Sequence, residues 1–171
     1  MRNLYIDFDG VILDTLTLLY AQMNEQRVDI TNLEATEHFF VNIDWKKHLK
    51  DELIINDSIN CIQKIIDSKK FEVSILTHVN SLNEAIEKVK YIRKYFKDIT
   101  IIPVPKKIHK TQMVHTEGAI LVDDYTENLI EWEKEKGIGV RFSPKLSSKG
   151  FIVIDKLDKL LEIDFEKVSK N

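Results

Sequence analysis

Short apolar runs alternate with longer segments of helical periodicity along the whole chain, and few folds accommodate that alternation. Leu4, Tyr5 and Ile6 lie between polar ends at 3–7 and read as a buried strand, followed by Gly10, which can take backbone angles that other residues cannot. Residues 71–76, 99–104, 119–122 and 138–142 are four more compact apolar runs. Helical spacing begins at Leu16, Leu19, Tyr20 and Met23 behind Asp14, a candidate N-cap, and extends to about Gln26. It recurs at Ile55, Ile59, Ile62, Ile65 and Ile66 behind Asp57, a second candidate N-cap, and at Leu82, Ala85, Ile86, Val89, Ile92 and Phe96. A helix is expected at 127–136, where Gly137 can end it, with at most a short one at 110–114. The tail offers a further short strand at 151–154 and a helix from about Leu157.

Strands alternating with helices predict an α/β fold. The expected form is a Rossmann-like, mostly parallel sheet of about five strands with helices on both faces, since each crossover helix must bury an apolar stripe. Such sheets bind ligands beyond the C-terminal ends of their strands. Asp7, Asp9, Thr77, Lys110, Asp123 and Asp124 all fall just after predicted strands or in the loops that follow. Residues more than a hundred positions apart are therefore expected to meet at one edge.

A chain of 171 residues with 43% hydrophobic content suits one domain, 1–171, with a sizeable core. Within it, 28–53 differs in texture: it is polar, has only short broken helical patterns, and carries His38, Phe39, Phe40 and Trp45 close together, and a small helical cap insert is expected at about 17–53. The 25 basic and 28 acidic residues leave a net charge of -3 and no basic block, which argues against polymeric nucleic acid as a partner. Asp7 and Asp9 interrupt the first apolar stretch, so neither a signal peptide nor a membrane span can be drawn, and a cytoplasmic protein with no membrane partner is expected. Cys61 is the one cysteine, which excludes an internal disulfide and a cysteine zinc cluster, and it reads as a small buried hydrophobe.

In Asp7-Phe8-Asp9-Gly10-Val11 two carboxylates straddle one residue where a strand becomes a loop, and an extended backbone sends both to one face. Anions held this close repel, and a divalent cation is the natural remedy. Magnesium suits a site whose candidate ligands are all oxygens. Taken alone, the same residues also read as a polar turn.

Asp7-Phe8-Asp9-Gly10-Val11, Thr77 ending the second strand, Lys110 before the fourth and Asp123-Asp124 ending it together resemble, in order and placement, the four motifs of the haloacid dehalogenase (HAD) superfamily. Most of that superfamily consists of magnesium-dependent phosphatases with a mobile cap over the site. The resemblance implies Asp7 as nucleophile, Asp9 as general acid and base, Thr77 as phosphate donor and Lys110 as charge stabiliser. It implies Mg2+ near Asp7, Asp9, Asp123 and Asp124, with Gly10, His78 and Trp45 as candidate substrate-binding residues and a small phosphate monoester as substrate. The superfamily's dehalogenases lack the second aspartate and its ion-pumping ATPases carry threonine there, so Asp9 favours a phosphatase or phosphomutase. The roles also follow from chemistry: a carboxylate approaches a phosphoryl group only when positive charge cancels the repulsion, and an alkoxide leaving group needs a proton.

Other readings stand beside each residue. Thr77 could cap the helix after Asn80, Asp123-Asp124 could be a turn before Thr126, and Lys106 and Lys107 compete with Lys110. His78 and His109 flank the motifs, as structural histidines also would. The run Ile-Leu-Val-Asp-Asp-Tyr-Thr-Glu-Asn-Leu at 120–129 resembles the 5'(3')-deoxyribonucleotidase branch, although His78-Val79 departs from that branch's usual pair. Phe39, Phe40 and Trp45 fit a small core of the cap better than base stacking. A receiver-like signalling domain also accepts phosphate on a parallel sheet, but its phosphorylated aspartate follows the third strand, which here ends in Pro103-Val104-Pro105. A non-catalytic phosphate-binding domain of the same fold would not need both Asp7 and Asp9.

Overall fold

The computed structural model describes residues 1–168; positions 169–171, the last three of the expected domain, lie outside the described residues. Strands β1 (Arg2–Ile6), β2 (Phe71–Val79), β3 (Thr100–Pro105), β4 (Ile120–Asp123), β5 (Ile138–Phe142) and β6 (Ile152–Ile154) form one parallel sheet in the order β3-β2-β1-β4-β5-β6. The sheet has six strands rather than about five, because the short tail strand pairs with β5 from Val140↔Ile152 to Phe142↔Ile154. Helices α1 (Thr15–Glu25), α2 (Leu33–Asn42), α3 (Trp45–His48), α4 (Ser58–Ser68), α5 (Leu82–Arg93), α6 (Thr126–Lys134) and α7 (Phe165–Val168) connect and cover it.

Alternation along the strands builds two cores. Leu4 and Ile6 join Val73, Ile75, Ile120 and Val122 in one cluster with Ile62 and Ile65 of α4, while Tyr5 joins Leu76, Leu121, Leu129 and Trp132 on the other face. Cys61 is fully buried in the first cluster. This is the Rossmann-like arrangement that the alternation predicts.

Several local expectations change. β2 runs through Thr77 to Val79, because Thr77, His78 and Val79 still pair with Pro103, Val104 and Pro105 of β3. Asp14 caps α1 by accepting from Thr17 N–H at 3.4 Å, whereas Asp57 adopts a left-handed conformation and makes no such bond to α4. Lys136, not Gly137, takes the positive φ after α6; Gly137 is needed because a Cβ there would run into the Trp132 ring. The tail helix is a 3-10 segment, Leu157–Glu162. The largest change is in α5, which exposes Leu82 (77%) and buries the charged Glu84 and Lys88.

Segment 14–53 leaves and returns at one point. Asp14 N–H donates to the Leu53 carbonyl (2.8 Å), Ile55 N–H to the Ile12 carbonyl (3.0 Å) and the Ser58 hydroxyl also to Ile12 (2.8 Å). Among the described residues no helix is long and apolar enough to cross a membrane.

Candidate active site

Asp7 follows β1 directly, and its N–H donates to the Val122 carbonyl at 2.9 Å, which ties the loop to β4 beside Asp123. The Phe8 carbonyl accepts from the N–H groups of Val11, Ile12 and Leu13, closing a tight turn. Gly10 has φ +74°, and a Cβ there would collide with the Asp124 carboxylate, so glycine supplies both the turn and the room.

One carboxylate oxygen from each of Asp7, Asp123 and Asp124 lies within 4.8 Å of the other two. The buried Lys110 bridges two of these groups, with Nζ 2.9 Å from Asp7 Oδ1 and 2.7 Å from Asp123 Oδ2. Asp123 also accepts from Tyr125 N–H (2.8 Å) and Asn128 Nδ2 (2.9 Å), so its orientation is fixed. Among the described residues, no side chain donates a hydrogen bond to Asp124. Burial pushes the Asp7 carboxyl up to about 7, with Lys110 opposing and Asp123 and Asp9 adding to the rise. Burial, then the charges of Asp7 and Asp123, push Asp124 up to about 8. Lys110 is held protonated although burial opposes it, because Asp123 and Asp7 outweigh that cost. Three carboxylates this close, offering only oxygen atoms, fit a hard divalent cation such as Mg2+.

Asp9, expected among the metal ligands, is not one of the three clustered carboxylates. Its Oδ2 pairs with Lys88 Nζ at 2.5 Å and its Oδ1 accepts from the Thr15 hydroxyl at 2.6 Å, so its carboxylate is directed to donors on α5 and α1. The buried Thr77 hydroxyl donates to the His78 carbonyl (3.3 Å) and accepts from Lys88 (3.1 Å). It does not cap α5; Ser81 does, accepting from Glu84 N–H at 3.1 Å.

Of the competing lysines, Lys110 alone among the described residues pairs with Asp7; Lys107 is exposed and 3.5 Å from Glu37. The half-buried His78 donates through Nε2 to the Ile108 carbonyl at 2.9 Å, and burial lowers its pKa. His109 lies on the surface, 2.7 Å from Glu131. Trp45 is 2% exposed, with Nε1 donating to the Phe40 carbonyl (3.1 Å) and its ring beneath Lys88 Nζ, so it packs as core and presents no open face to a base.

Glu84, Lys88, Thr15 and Asn128 were not singled out by sequence reasoning. Glu84 and Lys88 carried a signal of sorts, a charged i,i+4 pair, but on a helix that spacing usually marks a solvated face.

No protein-family model matches the sequence, and no curated protein is recognisably similar to it. Solved structures are similar in fold. An Entamoeba histolytica HAD hydrolase of family IA, variant 3, superposes with a TM-score of 0.64 at 15% identity over 100% of both chains. The magnesium-bound YfnB of Bacillus subtilis gives 0.61 at 14% identity, covering 94% of this chain and 97% of that one. A HAD phosphatase from Thermococcus onnurineus gives 0.58 at 15% identity, covering 95% and 97%. The chain thus shares the fold of these HAD hydrolases, and it carries an aspartate cluster beyond the central strands of its parallel sheet.

Proposed function

We propose that the protein is a magnesium-dependent phosphatase that hydrolyses a small phosphate monoester through an aspartyl-phosphate on Asp7. The observation that carries this reading is the buried Lys110 bridging Asp7 and Asp123, with Asp124 alongside, at the sheet edge where parallel α/β folds bind ligands. The phosphatase from Thermococcus onnurineus and the magnesium-bound YfnB, which share the fold, lend support.

Asp7, Asp123 and Asp124 would hold the Mg2+ ion, with Asp124, whose oxygens have no competing side-chain donor among the described residues, as the most available direct ligand. The ion supplies positive charge against the substrate's phosphoryl oxygens. Asp7 attacks phosphorus, the bond from phosphorus to the ester oxygen breaks, and Asp9 gives that oxygen a proton. Water then attacks the phosphorus of the aspartyl-phosphate, Asp9 takes its proton, and phosphate leaves with the Asp7 carboxylate restored. Lys110 offsets the charge gathering between Asp7 and the phosphoryl group. Thr77, on the adjacent strand, is the hydroxyl donor closest in role to a phosphate clamp, and Gly10 leaves the backbone open to the phosphoryl group. Segment 17–53 acts as the cap and His78 lines the approach. A (deoxy)nucleoside monophosphate is the first substrate class to examine, on the strength of the 120–129 run, and the protein acts in the cytoplasm.

A panel of phosphate monoesters, deoxynucleoside monophosphates included, assayed with Mg2+ and again in excess chelator, tests the proposal. Turnover should appear with at least one ester and vanish with chelator. Undiminished turnover in chelator removes the metal from the mechanism, and inertness towards every ester leaves a phosphate-binding domain instead.

A further inference from the structure

Lys88 is almost fully buried on α5, yet it makes more polar contacts than any residue assigned a role above. Its Nζ lies 2.5 Å from Asp9 Oδ2, 2.7 Å from Glu84 Oε1, 3.1 Å from Thr77 Oγ1 and 3.0 Å from the His78 carbonyl. The ammonium also sits over two aromatic rings, 5.2 Å from the centroid of Phe8 and 5.3 Å from that of Trp45. Glu84 is itself 1% exposed and is anchored from behind, its Oε2 accepting from Asn80 N–H (2.6 Å) and Asn80 Nδ2 (3.0 Å).

A buried ion pair seldom adds net stability, because desolvation of both charges consumes the attraction between them. α5 nevertheless turns Glu84 and Lys88 inward and leaves Leu82 in solvent. The contacts of Lys88 fall on the loop after β1, on the end of β2 and on α3, so one ammonium joins the turn bearing Asp9 to the strand bearing Thr77 and to the 14–53 segment. With the Thr15 hydroxyl on the other oxygen, Asp9 is gripped at both ends.

We propose that Lys88, braced by Glu84, is the positioning residue for Asp9, setting where its carboxylate points and linking that direction to the placement of α3. The proposal rests on the phosphatase reading for its kinetic test but not for its structural one. The network carries two carboxylates and one ammonium, so Lys88→Met with Glu84→Gln removes one charge of each sign and leaves the partly exposed Asp9 carboxylate with the Thr15 hydroxyl as its donor.

The double variant should bind Mg2+ with wild-type affinity by calorimetry, because the Asp7, Asp123 and Asp124 cluster is untouched. Its crystal structure should show the Asp9 carboxylate turned from its wild-type direction. With nitrophenyl phosphate, whose leaving group needs no proton, it should release about one equivalent of nitrophenol and accumulate a phosphorylated protein by intact mass. With an alkyl phosphate, formation of the phosphorylated protein should itself slow about tenfold or more, since the misaligned group is the one that protonates the departing oxygen. Should the double variant not fold, Glu84→Gln alone should give the same pattern at smaller amplitude. Equal loss on both esters without a phosphorylated species, or Mg2+ affinity lost alongside, would mean that the pair merely supports the fold, and the proposal fails. An unmoved Asp9 in the crystal refutes it too, even if the wild-type protein proves inert towards every ester.

Discussion

Asp9 separates the steps of the proposed reaction, because its proton is required by the first leaving group and its carboxylate by the attacking water. Asp9→Asn should slow formation of the aspartyl-phosphate from an alkyl phosphate by about 10² to 10⁴, the usual span of general acid catalysis. With nitrophenyl phosphate it should release about one equivalent of nitrophenol and stall with one phosphoryl group attached, as read by intact mass. Asp7→Asn should show neither event. Loss of both esters alike by Asp9→Asn, with no phosphorylated species, would refute the division of labour. At this scale the sequence was informative where chemistry needs rare arrangements: paired carboxylates at strand ends marked Asp7, Asp9, Asp123 and Asp124, and Lys110 led its competitors. It was silent on Lys88, since a Glu–Lys pair one helical turn apart is ordinary on a solvated surface and its burial is decided by contacts far away in the chain. The separation of Asp9 from the three-carboxylate cluster was equally hidden, because it depends on rotamers set by Thr15 and Lys88.

Among the elements, α5 departs most from its periodicity, and its orientation can be checked by stability alone. Leu82→Ser should change unfolding free energy by no more than about 0.5 kcal/mol, as exposed positions do. Ile92→Ala, at a buried position of the same helix, should cost about 2–5 kcal/mol by urea denaturation, because Ile92 is fully buried in the core. Similar costs at both positions would mean that the helix face has been misassigned. Trp45 belongs to the same junction, and Trp45→Ala should cost about 3–5 kcal/mol while reducing turnover of nucleotides and small aliphatic phosphates by a common factor. A loss confined to nucleotides would instead reveal base stacking. Strand positions were legible to within a residue or so, since an apolar run between polar ends admits little else. β2 outran its apolar run because pairing with β3 carries Thr77 and His78 into the ladder regardless of polarity, and the tail strand counted as part of the sheet only once its pairing with β5 was known.

Considered whole, the molecule gathers Asp7, Asp9, Asp123, Asp124 and Glu84 about two buried ammonium groups, so carboxylates outnumber their counter-charges. Asp7 and Asp124 have pKa values raised from 3.8 to about 7 and about 8, so across that window the folded protein binds more protons than the unfolded chain. Stability without metal should therefore fall as pH rises from about 4 to about 8. Carboxylates held low, such as Asp51 and Asp158, have the opposite sign but act only below the ordinary carboxylate range, outside this window. Added Mg2+ should raise the melting temperature more at about pH 8 than at about pH 6, because protons no longer compete for the ligands. Calorimetric scans in both buffers test this, and a Mg2+ effect larger in the acidic buffer would contradict it. The sheet order has a kinetic consequence as well. β1 lies at the centre, pairing with β2 from Arg2↔Phe71 to Ile6↔Ile75 and with β4 from Leu4↔Ile120 to Ile6↔Val122, so both of its flanks are filled by strands far away along the chain. Parallel pairings over such separations close slowly, and an unpaired Leu4-Tyr5-Ile6 invites association with other chains meanwhile. Dilution during refolding should therefore raise the yield of folded protein, read as the soluble fraction recovered.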